Sequence, residues 1–131
     1  MNVYVFGNED VACDSIALKA VKNLAVKSIT FIIVKPNEDL PFESKNNVVV
    51  MDAVAGINKV TLIPDEKLDK LILPPRGTAH DFGLGFQIKY LKKLGKLGKV
   101  TVIGLPMGKE IDYSSIQSIL RKLVAQDIHG S

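Results

Sequence analysis

Two aspartates and a histidine carry the chemistry that can be read from this chain: Asp14, Asp52 and His80. His80 is one of only two histidines, the other being His129 near the carboxyl terminus. Imidazole suits nickel, zinc, iron and copper, and carboxylates complete mixed nitrogen–oxygen sites for such ions. A protein that supplies only three ligands leaves coordination positions open for a substrate's own ligands. Each residue also has an ordinary structural role. Asp14 can cap a helix amino terminus, Asp52 can cap a turn, and His80 can be a half-buried imidazole bonded to main chain. Cys13 beside Asp14 invites a thiol nucleophile paired with His80. A cysteine opening an apolar helix is more simply read as packing.

The elements that must position these residues follow from the period of the apolar positions. "NVYVF" (2–6) is a short β-branched and aromatic strand ending at Gly7-Asn8. From Asp14 the period becomes helical, with Ile16, Ala17, Ala20, Val21 and Leu24 on one stripe. "ITFIIV" (29–34) is apolar on both sides, which predicts a strand in the middle of a parallel sheet. "NVVVM" (47–51) is a buried strand stopping at Asp52, "AVAGIN" turns the chain, and "KVTLI" (59–63) returns. That return is too short for a crossover, so "KVTLI" is expected to be antiparallel. A second helix keeps Leu84, Ile88, Leu91 and Leu94 as its stripe and begins near His80. "KVTVIGL" (99–105) is the last strand, and a third helix from about Ser114 buries Ile116, Ile119, Leu120, Leu123 and Val124.

Strands alternating with helices predict an α/β fold over residues 1–131 as one domain. It is a three-layer αβα sandwich with a mostly parallel five-stranded sheet, one antiparallel strand and helices on both faces. In such sheets function collects beyond the carboxyl ends of the strands. Asp14, Asp52 and His80 all fall at such places.

Composition narrows the classes. Lys+Arg exceed Asp+Glu by 17 to 14, and aromatic residues make up only 6%, none interleaved with arginine. Nucleic acid is therefore not an expected partner. Lys89, Lys92, Lys93, Lys96 and Lys99 read as the solvated side of the second helix or a docking surface for an acidic partner. "VYVFGNED" lacks the three spaced glycines of a dinucleotide fingerprint. The single cysteine rules out an intrachain disulfide framework and suits a reducing compartment. No apolar run reaches about 18 residues, and nothing at the amino terminus has signal-peptide form. A cytoplasmic monomer with no membrane association is the expectation.

Three segments, "FGNEDVACDSIALKAV", "VVVMDAV" and "AHDFGL", occur in an order and at separations that resemble the hydrogenase maturation endopeptidases. Gly7-Asn8 and Asp14 match a strand, a Gly-Asn turn and an acidic residue opening a helix. Asp52 matches an aspartate after a hydrophobic strand, and His80, Gly83 and Leu84 match a histidine followed three residues later by Gly-Leu. The resemblance runs through "KVTVIGLP", nearly the whole chain. It implies an aspartic-type, nickel-dependent endopeptidase that removes a C-terminal extension from the large-subunit precursor of a [NiFe]-hydrogenase once nickel is inserted. It also implies that Asp14, Asp52 and His80 contact that nickel, which belongs to the precursor. The chain departs from the pattern at Cys13-Asp14-Ser15, where a second acidic residue and a glycine are usual. Its segment "VKPNEDLPFESKNN" is short. These departures leave a rival expectation, a non-catalytic metal- or partner-binding assembly module of the same fold.

Overall fold

The computed structural model describes residues 1–6, 15–34, 47–54, 56–70, 98–108 and 110–130, the side chains of 68–70 and 127–130 excepted. In chain order the elements are strand β1 (Asn2–Phe6), helix α1 (Ile16–Val21), β2 (Thr30–Val34), β3 (Asn47–Val54) and β4 (Thr61–Ile63). A 3-10 helix (Asp65–Lys70), β5 (Lys99–Pro106) and α2 (Tyr113–Gly130) follow. The five strands form one sheet in the order β2-β1-β3-β5-β4. Neighbours pair in parallel except β4, which runs antiparallel to β5.

The valine-rich centre explains the sheet. Val3, Val5, Val50, Val100 and Val102 are fully buried, as β-branched residues are when a pleated surface is covered on both faces. Alternation along the strands divides the core in two. Val3, Val5, Met51, Ala53, Ile103 and Leu105 face one side, where they pack with Ile16, Ala17 and Ala20 of α1 and Ile116 and Leu120 of α2. Ala17 and Ala20 have no exposed surface, and their small side chains let α1 lie close on the sheet. The opposite face gathers Tyr4, Phe6, Val34, Val48, Val50, Val100 and Val102. Both described α-helices thus share one face. The helix expected over 84–94, which would supply the third layer, lies outside the described residues.

Two strand expectations need correcting. "ITFIIV" does not occupy the middle of the sheet: β2 stands last in the strand order, with β1 as its neighbour. Ile33 is 53% exposed there and Thr30 is exposed. Apolar character on both sides does not encode the number of strand neighbours. The other correction concerns "NVVVM", which does not stop at Asp52, because β3 continues through Ala53 and Val54.

β4 is antiparallel, as the short return requires, but its partner is β5 rather than β3. β4 lies one strand position beyond β3's neighbour, roughly 10 Å from β3, and β5 later fills the position between them. β4 ends where Pro64 offers no N–H to the ladder. The Asp65 carboxylate takes over there, and its Oδ1 accepts the Val100 N–H at 2.8 Å. Asp65→Ala leaves that amide without its acceptor beside a fully buried valine. It should lower unfolding free energy by about 1–3 kcal/mol, read as a shift in urea midpoint at unchanged slope.

Asp112 caps α2. Its Oδ2 accepts the Ser115 hydroxyl at 2.7 Å and its Oδ1 accepts the Ser115 N–H at 3.1 Å, while its carbonyl accepts the Ile116 N–H at 3.2 Å. The Ser115 hydroxyl first, and its amide second, hold the Asp112 carboxyl below its ordinary value of 3.8. A carboxyl whose folded value is depressed stabilises the fold above its unfolded value and loses that contribution as pH falls through the folded one. Asp112→Asn should therefore flatten the fall of thermal midpoint with pH below about 4, with little change in the slope at neutral pH. Melts followed by circular dichroism across that range would check it.

Candidate functional site

β1 feeds α1 and then β2 on one side, while β3 lies on the other side of β1. The direction of winding therefore reverses between β1 and β3. Open α/β sheets bind their ligands at the carboxyl ends of the strands flanking such a reversal. Asp52 sits there. Continuing the β1–β3 register one residue past the Val5–Met51 pair puts it level with Phe6, the last residue of β1.

Asp52 is fully buried. Period-two alternation sets it on the face of Val48 and Val50, opposite the described helices. Its strand neighbours on that face, among the described residues, are apolar. Phe6 stands level on β1, Val50 and Val54 lie two residues before and after it on β3, and its registered partner on β5 is Gly104. Carboxylates are rarely buried without compensation, because desolvation costs several kcal/mol per ion. One compensation is the Ala53 N–H, which donates to Asp52 Oδ1 at 2.8 Å. β3 overruns β1 by Ala53 and Val54, so the carboxylate serves an amide beyond the end of its neighbouring strand. A carboxylate so fixed, in a region of low dielectric, interacts strongly with any cation or hydrogen-bond donor brought to it.

Of the three residues singled out by the sequence, Asp52 is the one the structure describes. Asp14, His80 and the neighbouring Cys13 lie outside the described residues, as do Gly7, Asn8, Gly83 and Leu84. Asp14 directly precedes Ser15, which is the N-cap of α1 and makes no side-chain cap bond. The connection from β1 to α1 thus leaves the sheet level with Asp52 and ends with Asp14 next to a described, buried residue, Ser15. Among the described residues no three His, Cys, Asp or Glu side chains are grouped as metal ligands, and no helix is long and apolar enough to cross a membrane. Sequence reading passes over Gly104, although a lone glycine inside an apolar strand signals close approach of another group.

No family model matches the chain, and no curated protein matches it. Solved structures do. The fold is similar to that of the hydrogenase maturating endopeptidase HybD from E. coli, with a TM-score of 0.62 at 14% identity, over 99% of this chain and 94% of that one. It is similar as well to an endopeptidase from Escherichia coli solved in solution, with a TM-score of 0.59 at 14% identity and the same coverage. A third is the hydrogenase 2 maturation peptidase from Thaumarchaeota archaeon SCGC_AB-539-E09, with a TM-score of 0.50 at 18% identity over 98% of both chains.

Proposed function

We propose that this chain is an endopeptidase of the hydrogenase maturation kind, cutting a C-terminal extension from a nickel-loaded large-subunit precursor. The observation that carries the reading is Asp52. A fully buried carboxylate stands at the winding reversal of a sheet whose fold matches maturation peptidases over almost their whole length.

On this reading Asp14, Asp52 and His80 meet the nickel of the precursor, which arrives as part of the substrate. A precursor without nickel would lack the cation that these ligands recognise, so the metal acts as a licence for cleavage. Asp52 contributes a buried carboxyl already oriented by the Ala53 amide, so little reorganisation is needed when a cation docks.

Chain length gives His80 the reach that this reading needs. The 3-10 helix and Gly98 flank the amino-terminal end of β5, through the Asp65–Val100 bond and the start of the strand. From Lys70, the chain to His80 can extend about 33 Å, whereas Lys99 to Gly104 rises only about 17 Å along β5. The return from His80 to Gly98 as a helix covers about 27 Å. His80 can therefore reach the level of Asp52 and the chain can still return to begin β5.

The test is incubation of the purified protein with nickel-loaded and nickel-free large-subunit precursor, followed by intact-mass measurement. A shortened C-terminus in the loaded sample alone supports the reading. An unshortened loaded precursor under conditions where the two proteins bind favours an assembly module instead.

A further inference from the structure

Gly104 interrupts an otherwise bulky strand between Ile103 and Leu105, and it is the registered partner of Asp52. Its backbone does not ask for glycine, because the left-handed glycines among the described residues are Gly56 and Gly108. Space does. A β-carbon there would lie 3.0 Å from Val54 Cγ2 and 3.2 Å from both Ile57 Cδ1 and Ile63 Cδ1. Those methyls arrive from the end of β3, from the connection after it and from β4. All three converge on the volume a side chain beside Asp52 would have filled.

We propose that Gly104 is a positioning residue for Asp52: its empty place lets Val54, Ile57 and Ile63 close an apolar wall that holds the carboxylate on the Ala53 amide. The wall and the amide act together. Val54 follows Ala53 in the chain, so a push on Val54 moves the segment that carries the hydrogen-bond donor. A methyl at position 104 needs a few tenths of an ångström from these side chains, and what the nearest of them, Val54, gives is passed to the end of β3. The consequence for catalysis rests on the function proposed above; the consequence for the Asp52–Ala53 bond does not.

The variants are Gly104→Ala, Val54→Ala and the pair combined, where volume added at one site is removed at the other. The direct readout is the Ala53 amide proton in a proton–nitrogen correlation spectrum, whose low-field position reports its bond to the carboxylate. Gly104→Ala should move that signal upfield in a spectrum that stays dispersed. Turnover of nickel-loaded precursor should fall about tenfold or more, as misplacement of a reacting group predicts, with KM within about twofold. The combined variant should bring the signal and turnover most of the way back, a non-additivity that marks a shared volume. If Gly104→Ala does not fold, Val54→Ala decides, since it opens the wall without adding an atom and should move the same signal. An unmoved Ala53 signal in a folded single variant overturns the proposal. So does a combined variant that recovers nothing. If the wild type cleaves no precursor, the peptidase reading fails while the amide signal still decides the role of Gly104.

Discussion

Asp52→Asn should fold as well as the wild type, or better, and yet cleave nickel-loaded precursor at least about a hundredfold more slowly, a loss of about 2.7 kcal/mol of transition-state stabilisation. The amide is nearly the same size as the carboxyl, and its oxygen can still accept the Ala53 N–H. What disappears is the capacity to carry a negative charge in a fully buried place, where such a charge costs the fold something. Stability and activity should therefore change in opposite directions, as they do where a fold tolerates a liability for function. Asp52→Ala removes the acceptor too and should lose about 1–3 kcal/mol of stability besides its activity. Urea melts and rates from intact mass on the same preparations make the comparison. If Asp52 is only a cap on the end of β3, the Asn variant keeps full cleavage.

The second large effect is expected at His80. His80→Ala should leave the sheet and its melting behaviour close to the wild type, as expected of a side chain that serves the substrate rather than the core. Cleavage of the loaded precursor should fall by at least about a hundredfold, as for removal of a single well-placed stabilising group. Retention of the fold would be checked by the correlation spectrum, and loss of cleavage by product mass. Wild-type cleavage by this variant sinks the shared site. Geometry tests the same point independently. A structure with the His80 ring more than about 8 Å from both the Asp14 and Asp52 carboxylates, and no rotamer that closes the gap, excludes one ion held by all three.

Much of the sheet is legible in the sequence because strands buried on both faces advertise themselves as apolar runs. β1 occurs where "NVYVF" places it, and α2 buries Ile116 and Leu120 of the predicted stripe. What local pattern does not encode is neighbourhood. "ITFIIV" has the composition of a central strand and stands at the end of the order, while "KVTLI" is antiparallel to a partner that follows it much later in the chain. Asp52 stands out by its type but reads one step out of place, since aspartate is depleted in strands and looks like a stop. Here its own side chain caps the next amide and the strand goes on. Asp65 and Asp112 escape a search for chemistry, although Pro64-Asp65 and the Asp-x-x-Ser spacing of Asp112 and Ser115 are ordinary local signals for a ladder's end and a helix's start.

The place of β5 bears on how the chain acquires this sheet. β5 is synthesised after the other four described strands, yet it lies between β3 and β4. On the ribosome β1, β2 and β3 can assemble while β4 has no partner, and the gap stays open until β5 emerges. Asp52 therefore remains beside an incomplete sheet edge, hydrated, through most of synthesis. Gly104 then pairs alongside it and closes that edge. The dehydration cost of the charge is then met in the same step that closes the β3–β5 and β4–β5 ladders, where the most hydrogen bonds and apolar contacts form at once to offset it. A nascent chain stalled before β5 would hold every acidic group of the candidate site and still lack the environment that makes one of them reactive.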